Sequence, residues 1–275
     1  MKISFVIVAY KSEALLEDCI KSIIKFCKTN YYEIIVIDNS PLENQINTII
    51  ICNKFKDNII YKSNVNLGYG FGNNIGIKMA QNEIVCIINP DVRFIEPFFE
   101  TVINYFSDKK NSLLGFKQIG GKNLSYYVKP EYYIPFLNSF IVKISNYLNF
   151  FHSKIFYLSG ACFFISKKNF EEINLFDENI FMYYEEPDIS NRLIKEHFKI
   201  DFIKKIKYLH LVGNRNKIQE NLFEIEFNSW LYYINKYNLN LNLQIFLKKI
   251  EYYVLSKDKF KLLFKFLKME KSNLG

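Results

Sequence analysis

The chain has 275 residues, 49% of them hydrophobic, so it is long and apolar enough to bury a sizeable core, which argues against intrinsic disorder. Lysine and arginine number 36 against 28 aspartates and glutamates, and the formal net charge of +8 favours anionic partners such as nucleotides, diphosphates, nucleic acids or acidic lipid head groups. The five cysteines form no C-x-x-C pair and mostly have apolar neighbours, so reduced thiols are predicted in place of disulfides or structural zinc.

The amino terminus, MKISFVIVAYKSEALL, is apolar over too short a distance for a signal-peptide core or a membrane span. Other apolar runs contain charges or several asparagines before they reach spanning length. We therefore expect a soluble or peripheral protein.

The first half of the chain alternates between strand and helix patterns. The β-branched run Ile3–Ala9 predicts a buried strand, and the segment opened by Ser12 and Glu13 has apolar residues at helical spacing. Further strands are predicted in YEIIVIDNS, in NIIYKSNVN and at Ile84–Ile88, and the glycine-dense LGYGFGNNIGIKMAQ predicts a turn leading into a helix. The pattern predicts an α/β fold with a Rossmann-like, mostly parallel sheet flanked by helices.

The second half has weaker periodicity. We interpret residues 111–156, rich in Tyr, Phe, Lys and Asn, as loops and short elements around an acceptor site. YLSGACFFISKKNFEEI predicts a short strand and a helix, and an acidic cluster then leads into an amphipathic helix that ends near Lys199. A last strand in KIKYLHLVGN carries His210 near its end. Beyond about Leu222 a basic helical extension is predicted, because Leu231 to Gly275 holds nine lysines and three acidic residues.

Polar side chains follow the predicted strands at the edge where open parallel sheets bind ligands, namely Asp38, Asn64, Asn66 and Asp91. Asp91 stands in IVCIINPDVRF, and a carboxylate at the end of a buried strand needs a cationic partner, such as a divalent ion bridging it to a diphosphate. The alternative is turn capping, since Asn-Pro-Asp is ordinary turn chemistry. Asp38 has the same two interpretations, ligand binding and turn formation.

The stretch SNVNLGYGFGNNIGI alternates glycines with asparagines, so its backbone could approach a ligand and its helix amino terminus could favour phosphate. It is only loosely similar to a dinucleotide fingerprint, which belongs to the first strand-helix turn, where this chain has AYKSE. A P-loop motif is absent from the sequence. Nicotinamide-dinucleotide binding is therefore disfavoured.

Glu185, Glu186 and Asp188 place three carboxylates within four positions, which raises at least one pKa and suits a group that takes a proton near neutral pH. The alternative is an acidic helix amino terminus with Pro187 in its first turn. His210 is either structural or, together with Asp91, a ligand of Mn²⁺.

Taken together, the segments resemble the inverting nucleotide-sugar glycosyltransferases of family 2, and within them the rhamnosyltransferase-like branch of bacterial polysaccharide assembly. The matching segments, in the family's order from about Ser4 to Asn214, are SFVIVAYKSEALLEDCIKSI, EIIVIDNS, NVNLGYGFGNNIGI, IINPDV, GACFFISKKNFEEINLFDENIFMYYEEPDISNRL and LHLVGN. The resemblance implies a GT-A domain over residues 1–221, with a nucleotide-sugar-binding half at 1–110 and an acceptor-binding half at 111–221. A basic amphipathic helical region would follow at 222–275.

By position in the family's motifs, the resemblance implies a donor site made of Ala9, Tyr10, Asp38, Asn66, Gly68, Gly72, Asn73, Asn74 and Asn89. Asp91 matches the metal-binding acid of the D-x-D element, with Asn89 in the place of the first aspartate, and His210 would complete a site for Mn²⁺ or Mg²⁺. Glu186 takes the place of the general base, with Glu185 and Asp188 as rivals. Asp188 and Arg192, one helical turn apart, would orient the base loop.

The implied reaction is a single displacement that moves a sugar from a nucleoside diphosphate to a hydroxyl of a glycan acceptor. dTDP-rhamnose is the favoured donor, with UDP- or GDP-sugars as alternatives, and the acceptor is expected to be lipid-linked, in O-antigen, capsule or other cell-surface polysaccharide synthesis. The competing interpretations are a nucleotidyltransferase, whose glycine-rich loop should follow the first strand, and a non-catalytic nucleotide-sugar-binding module.

The basic tail, LQIFLKKIEYYVLSKDKFKLLFKFLKMEK, suits a helix on an anionic membrane surface, or a helical pair that packs on the domain or on a second copy in a homodimer. Nucleic-acid binding is disfavoured because no recognition motif accompanies the charge. The expected location is cytoplasmic, including peripheral attachment to the inner face of the cytoplasmic membrane.

Overall fold

A computed structural model describes residues 1–27, 31–56, 58–121, 123–211 and 219–273 of the chain. The strands are β1 (Ile3–Ala9), β2 (Tyr32–Asp38), β3 (Ile59–Ser63), β4 (Ile84–Ile88), β5 (Val92–Phe94), β6 (Asn111–Ile119), β7 (Tyr126–Val128), β8 (Phe156–Leu158), β9 (Cys162–Ser166) and β10 (Lys199–His210). The α-helices are α1 (Glu13–Phe26), α2 (Leu42–Asn53), α3 (Tyr69–Met79), α4 (Phe99–Phe106), α5 (Leu137–Leu148), α6 (Lys167–Glu172), α7 (Glu185–Lys195), α8 (Glu220–Lys236), α9 (Leu241–Leu255) and α10 (Lys257–Asn273), and Pro130–Tyr132 form a 3₁₀ turn.

Eight strands form one sheet in the order β3-β2-β1-β4-β9-β6-β10-β5. β9 runs antiparallel to both of its neighbours and β5 runs antiparallel to β10, whereas the other neighbouring strands run parallel. β7 and β8 pair as a separate antiparallel ribbon. The predicted α/β fold with a mostly parallel sheet is therefore confirmed.

Both faces of the sheet are covered, which is why its strands are apolar on both sides. Along β1, Ile3 and Phe5 pack into the core layer that also contains Leu16 of α1. Val6 points to the opposite layer, together with Ile77 of α3. The alternation of β1 residues between two helical layers explains how a continuous apolar run becomes the centre of the fold.

The prediction of loops over residues 111–156 is wrong. β6 is a nine-residue strand inside the sheet, with five consecutive residues, 112–116, buried, and the twelve-residue helix α5 lies in the remainder. The helix predicted to end near Lys199 ends at Lys195, because Lys199 already pairs with Asn111 at the start of β10. The last three residues of the LHLVGN motif, 212–214, lie outside the described residues.

The predicted carboxyl-terminal helical extension is confirmed as α8, α9 and α10. The three helices share an apolar core that includes Phe223, Trp230, Leu263 and Phe266. Tyr184, just before α7, packs against the same core. Within the described part of the chain, none of the helices has the length and apolar character needed to cross a membrane.

Candidate active site

The carboxyl ends of β1, β2 and β3 meet at one edge of the sheet. Ala9 pairs with Asp38 in the parallel register of β1 and β2, and Asp38 pairs with Ser63 of β3. Beyond the strands, the N–H of Asn39 donates to the Ala9 carbonyl oxygen at 2.9 Å, and the N–H of Asn64 donates to the Asp38 carbonyl oxygen at 2.9 Å. These bonds hold the three loops side by side, as the sequence predicts.

The Asp38 carboxylate is buried and has protein partners on both oxygens. Oδ1 accepts the N–H of Ser40 at 3.0 Å, and Oδ2 accepts the hydroxyl of Tyr61 at 3.3 Å. Burial, with the neighbouring Asp38 charge, raises the pKa of Tyr61, so its hydroxyl stays a donor. The geometry supports the turn-forming interpretation of this carboxylate. Tyr10, just past β1, is 51% exposed.

The glycines of the predicted donor loop allow close packing around the start of α3. Gly68 has φ of +113°, and a Cβ there would lie 2.5 Å from the Phe181 carbonyl oxygen, so glycine is needed. A Cβ at Gly72 would lie 3.0 Å from Asn39 Nδ2 and 3.2 Å from the methyl groups of Val8. These two glycines seat α3 on the sheet edge and on the segment before α7.

The asparagines of the same loop differ in their surroundings. The Asn74 amide bonds the backbone of Phe176 in both directions, at 3.0 Å each, and so ties α3 to the loop after α6. Asn73 Nδ2 donates to the Tyr69 carbonyl oxygen, but its buried Oδ1 has no hydrogen-bond partner among the described residues. Asn66 is exposed. Donor contact by the loop residues stays a prediction.

Asn89 and Asp91, which follow β4, line a cavity of about 750 Å³, within the range of ligand-binding sites. The Tyr69 hydroxyl lies 3.3 Å from Asn89 Oδ1 and 3.0 Å from the Gly160 carbonyl oxygen. Burial raises the pKa of Tyr69 well above its usual range, so the hydroxyl remains protonated and can donate. The other predicted donor residues, from Ala9 to Asn74, lie outside the cavity lining.

Antiparallel pairing of β10 with β5 brings His210 to Asp91. His210 pairs with Val92, and its Nε2 lies 3.2 Å from Asp91 Oδ2. The imidazole is 5% exposed, and its Nδ1 has no hydrogen-bond partner among the described residues. Both side chains line the cavity, and their joint role as metal ligands stays a prediction.

The Asp91–His210 pair offers ligand atoms of the kinds that bind divalent cations. One carboxylate oxygen and one imidazole nitrogen suit Mn²⁺, and also Mg²⁺ with more oxygen ligands. Among the residues that the structure describes, no group of three or more His, Cys, Asp or Glu side chains could hold a metal ion. The pair's donor atoms fit such a cation, but they would supply only two of its ligands.

The acidic cluster lies at the start of α7, and Asp188 is its structural member. Its carboxylate is buried, with Oδ2 accepting from Arg192 Nε at 2.9 Å and Nη2 at 2.7 Å. Oδ1 accepts from the Tyr237 hydroxyl at 2.8 Å and lies 2.5 Å from Lys236 Nζ, both near the end of α8. With every lone-pair direction engaged, Asp188 is suited to fix the orientation of the α7 amino terminus.

Glu185 and Glu186 line the cavity without such partners. Burial and the neighbouring Glu186 charge raise the pKa of Glu185 well above its usual range, and its Oε1 has no hydrogen-bond partner among the described residues. Burial raises the pKa of Glu186, while hydrogen bonds from backbone N–H groups, including that of Gly160, act in the opposite direction. Gly160 leaves room for this carboxylate, since a Cβ there would lie 2.0 Å from Glu186 Oε1.

The far wall of the cavity comes from α8 and α9, which sequence reasoning did not assign to the site. Glu226 and Trp230 of α8 line it, as do Gln244 and Lys248 of α9. These residues belong to no recognisable motif. The mixture of aromatic and charged residues in the tail could have suggested a binding surface. The position of these helices beside the acidic cluster, however, depends on tertiary packing.

Comparison with protein families gives one match of wide extent. The profile described as "Glycosyl transferase family 2" matches residues 4–174, which is more than half of the chain. The match includes Asp91 and Gly160 and ends before α7.

Three curated proteins illustrate the similarity. The low-salt glycan biosynthesis hexosyltransferase Agl10 of Haloferax volcanii is 25% identical over 246 residues, covering 86% of this chain and 74% of that protein. The rhamnosyltransferase WbbL of Escherichia coli is 25% identical over 223 residues, covering 73% of this chain and 81% of that protein. The minor teichoic acid biosynthesis protein GgaB of Bacillus subtilis is 31% identical over 112 residues, which are 40% of this chain but 12% of that protein.

Solved structures share the architecture. Staphylococcus aureus TarS is similar over 94% of this chain and 44% of its own, with a TM-score of 0.59 and 17% identity. The mannosyltransferase PcManGT of Pyrobaculum calidifontis, in complex with GDP-Man and Mn²⁺, is similar over 98% of this chain and 75% of its own, with a TM-score of 0.60 and 12% identity. At such identities the likeness shows the fold, and the predicted GT-A fold is confirmed.

Proposed function

The chain belongs to glycosyl transferase family 2, and we propose that it is an inverting glycosyltransferase that moves a sugar from a nucleoside-diphosphate donor to a hydroxyl of a glycan acceptor. One observation carries the proposal: the Asp91–His210 pair and the Glu185–Glu186 carboxylates line the same cavity. A single displacement requires a site that holds the leaving diphosphate and a base that removes the proton of the acceptor hydroxyl. The Asp91–His210 pair is proposed for the first, and the two glutamates for the second.

In this mechanism Glu186 accepts the proton of the acceptor hydroxyl. The acceptor oxygen attacks the anomeric carbon from the face opposite the diphosphate, and the bond from that carbon to the diphosphate oxygen breaks as the new bond forms. Burial raises the pKa of Glu186 towards the operating pH, which is where a general base is most effective. A positioned base contributes a factor of about 10²–10⁴ in rate.

Asp91 and His210 are the residues that would hold a divalent cation, Mn²⁺ or Mg²⁺. When bound, such an ion supplies Lewis-acid neutralisation of the charge that develops on the leaving diphosphate. The structure of PcManGT, which contains Mn²⁺ with GDP-Man, supports this choice. Asn89 and the Tyr69 hydroxyl line the same cavity, which supports a role for them in orienting the donor.

The favoured donor is dTDP-rhamnose, with UDP- and GDP-sugars as alternatives. WbbL is named a rhamnosyltransferase, and a structure of TarS contains UDP-GlcNAc, so the relatives support a nucleotide-sugar donor without agreeing on its base or sugar. The names of Agl10 and GgaB refer to glycan and teichoic acid biosynthesis. A role in O-antigen, capsule or another cell-surface polysaccharide, with a lipid-linked acceptor, follows from the same proposal.

The outer face of α9 supports peripheral attachment to an anionic membrane on the cytoplasmic side. Leu243, Phe246, Ile250, Tyr253 and Val254 are exposed at helical spacing. An exposed apolar stripe on a helix within a lysine-rich segment is the pattern of an interfacial helix. Sedimentation with phosphatidylglycerol vesicles but not with phosphatidylcholine vesicles is expected. A stable dimer in gel filtration, lost with Phe246→Asp, would assign the stripe to a homodimer.

The donor site is tested by calorimetric titration of the protein with dTDP, UDP, GDP and NAD, with and without Mn²⁺. One nucleoside diphosphate should bind in a Mn²⁺-dependent way, and Asp91→Ala should weaken that binding at least about tenfold, or about 1.4 kcal/mol. Asp258→Ala is the matched control, because Asp258 is an exposed acid at the start of α10. Binding of NAD alone, or of none of the four, would refute the proposal.

The base is tested with Glu186→Gln, which keeps the shape of the side chain and removes its basicity. Nucleotide affinity should be unchanged, whereas release of nucleoside diphosphate from the matching nucleotide-sugar should fall by a factor of about 10²–10⁴. Equal turnover by the variant would exclude Glu186 as base. Tight nucleotide binding without sugar transfer by the unsubstituted protein would favour a non-catalytic binding module.

A further inference from the structure

The cavity wall formed by α8 and α9 contains a partly buried cation, Lys248. Its ammonium nitrogen lies 5.1 Å from the ring centroid of Trp230, 5.5 Å from that of Tyr252 and 5.8 Å from that of Tyr133. The Tyr252 hydroxyl is 3.4 Å away. The ammonium group thus stands in a cage of three aromatic rings at the edge of the cavity.

Carboxylates near Lys248 are engaged with other groups. Glu251 accepts a hydrogen bond from the Tyr133 hydroxyl, and Glu226 lies 4.0 Å from Lys259. Among the described residues, none places a carboxylate oxygen within 4.0 Å of the Lys248 ammonium. Burial is the largest influence on the pKa of Lys248 and lowers it, while the charges of Glu226 and Glu251 act in the opposite direction.

A partly buried ammonium with no carboxylate in ion-pair contact is unfavourable, and aromatic faces offset part of that cost. Glu226 and Glu251 stabilise the charge from beyond ion-pair distance, and an anion in direct contact would stabilise it further. A phosphate or carboxylate that enters the cavity would meet Lys248 in a site from which water is partly excluded, where a charge-assisted hydrogen bond is strong.

The position of Lys248 assigns it to the acceptor and not to the donor. The donor end is marked by Asn89, Asp91 and His210 at the ends of the strands, and the contacts of Lys248 are with the carboxyl-terminal helices and the 3₁₀ turn. Tyr184 joins this region to the proposed base, because it directly precedes Glu185 and packs against the core of α8–α10.

We propose that Lys248, held by the rings of Trp230 and Tyr133, binds an anionic group of the acceptor through its ammonium, so that the acceptor is a phosphate- or carboxylate-bearing glycan. The inference rests on the proposed glycosyltransferase function. It adds the chemical class of the acceptor and a recognition residue that lies outside the residues matched by the family profile.

The test uses protein saturated with Mn²⁺ and the nucleoside diphosphate identified by the titration, so that the donor phosphate site is filled. Matched probes are hexose 1-phosphates, methyl hexuronides and neutral methyl hexosides, with affinities measured by ligand-observed NMR. The phosphate or carboxylate probe should bind at least about tenfold more tightly than its neutral counterpart, which is about 1.4 kcal/mol. Whichever of the two anionic probes binds more tightly identifies the acceptor group as a phosphate or a carboxylate.

Lys248→Met should abolish the preference for the anion, and Lys248→Arg should keep part of it. Lys249→Met is the control and should keep all of it, since Lys249 stands over the Phe264 ring of α10 and does not line the cavity. Equal affinity for charged and neutral probes, no binding of any anionic probe, or a preference that survives Lys248→Met would overturn the inference. Nucleotide binding is measured separately, so its loss would count against the proposed function instead.

Discussion

Replacement of Gly160 by alanine provides a test of the base that leaves the Glu186 side chain in place. The added Cβ would lie 2.0 Å from Glu186 Oε1, 2.9 Å from Cδ and 3.1 Å from Cγ. The φ of Gly160 is outside the region that strains alanine, so the backbone can accept the change. The perturbation is therefore displacement of a carboxylate and not distortion of the chain.

The expected effect follows from the size of that displacement. Non-bonded carbon and oxygen atoms separate to somewhat more than 3 Å, so Oε1 must retreat by about 1 Å or more. A misplacement of about 1 Å costs about 10²-fold in rate, or about 2.7 kcal/mol of transition-state stabilisation. Because the displaced group is the end of a flexible side chain, the free energy of unfolding should change by less than about 1 kcal/mol.

Three measurements separate the possibilities: turnover of the nucleotide-sugar, calorimetric affinity for the nucleoside diphosphate, and unfolding by urea. Gly160→Ala should lower kcat about 10²-fold and leave nucleotide affinity and stability near their original values. The double variant Gly160→Ala with Glu186→Gln should be no slower than Glu186→Gln alone, because both changes act on one group. Unchanged kcat in Gly160→Ala, or independent effects that multiply in the double variant, would refute the reasoning.

Other consequences can be measured in the same way. Since burial raises the pKa of Glu186, and the base must be deprotonated, kcat/KM should fall with decreasing pH through a midpoint above the usual carboxylate value of about 4.3, and Glu186→Gln should remove this acid limb. Asp188→Asn should lower the free energy of unfolding by about 2 kcal/mol in urea titrations, because it removes the buried carboxylate that pairs with the partly exposed cations Arg192 and Lys236, although Lys236 keeps Asp177 as a partner. Gly76→Ala places a Cβ 2.3 Å from Val6 Cγ1 and should destabilise the fold by about 1–3 kcal/mol without altering nucleotide affinity, which calorimetry would check.

The first half of the fold could be predicted because its strands are β-branched runs that end in polar residues. Ile3–Ala9 and Ile84–Ile88 have the same bounds in the sequence prediction and in the structure. β6 was missed because Gly115 interrupts its apolar run and polar residues flank it. In the structure that glycine makes room for Leu158, whose Cδ2 would lie 2.7 Å from a Cβ. The reason for the glycine is a partner 43 positions away, which no local pattern contains.

The candidate site was predictable where its residues follow strands or form a compact cluster, as with Asp91 and Glu186. The pairing of Asp91 with His210 was proposed from the chemistry of metal ligands and then from the family resemblance, and the structure places the two side chains 3.2 Å apart. Lys248 and Trp230 could not be predicted, because their place in the cavity depends on how α8 and α9 fold back on the domain.

The cysteines and the tryptophan lie in different parts of the fold, so they report on those parts separately: the cysteines by their chemical reactivity and the tryptophan by its fluorescence. All five cysteines are buried and unpaired, and all lie between positions 19 and 162, in the half built on the sheet. Burial raises the pKa of Cys27 and Cys52 to about 12, so alkylation by iodoacetamide should require opening of that half. The single tryptophan, Trp230, is buried in the carboxyl-terminal helices at the cavity wall. Its fluorescence therefore reports on those helices and on occupants of the cavity, so cysteine alkylation and tryptophan fluorescence together can follow the order in which the two regions melt.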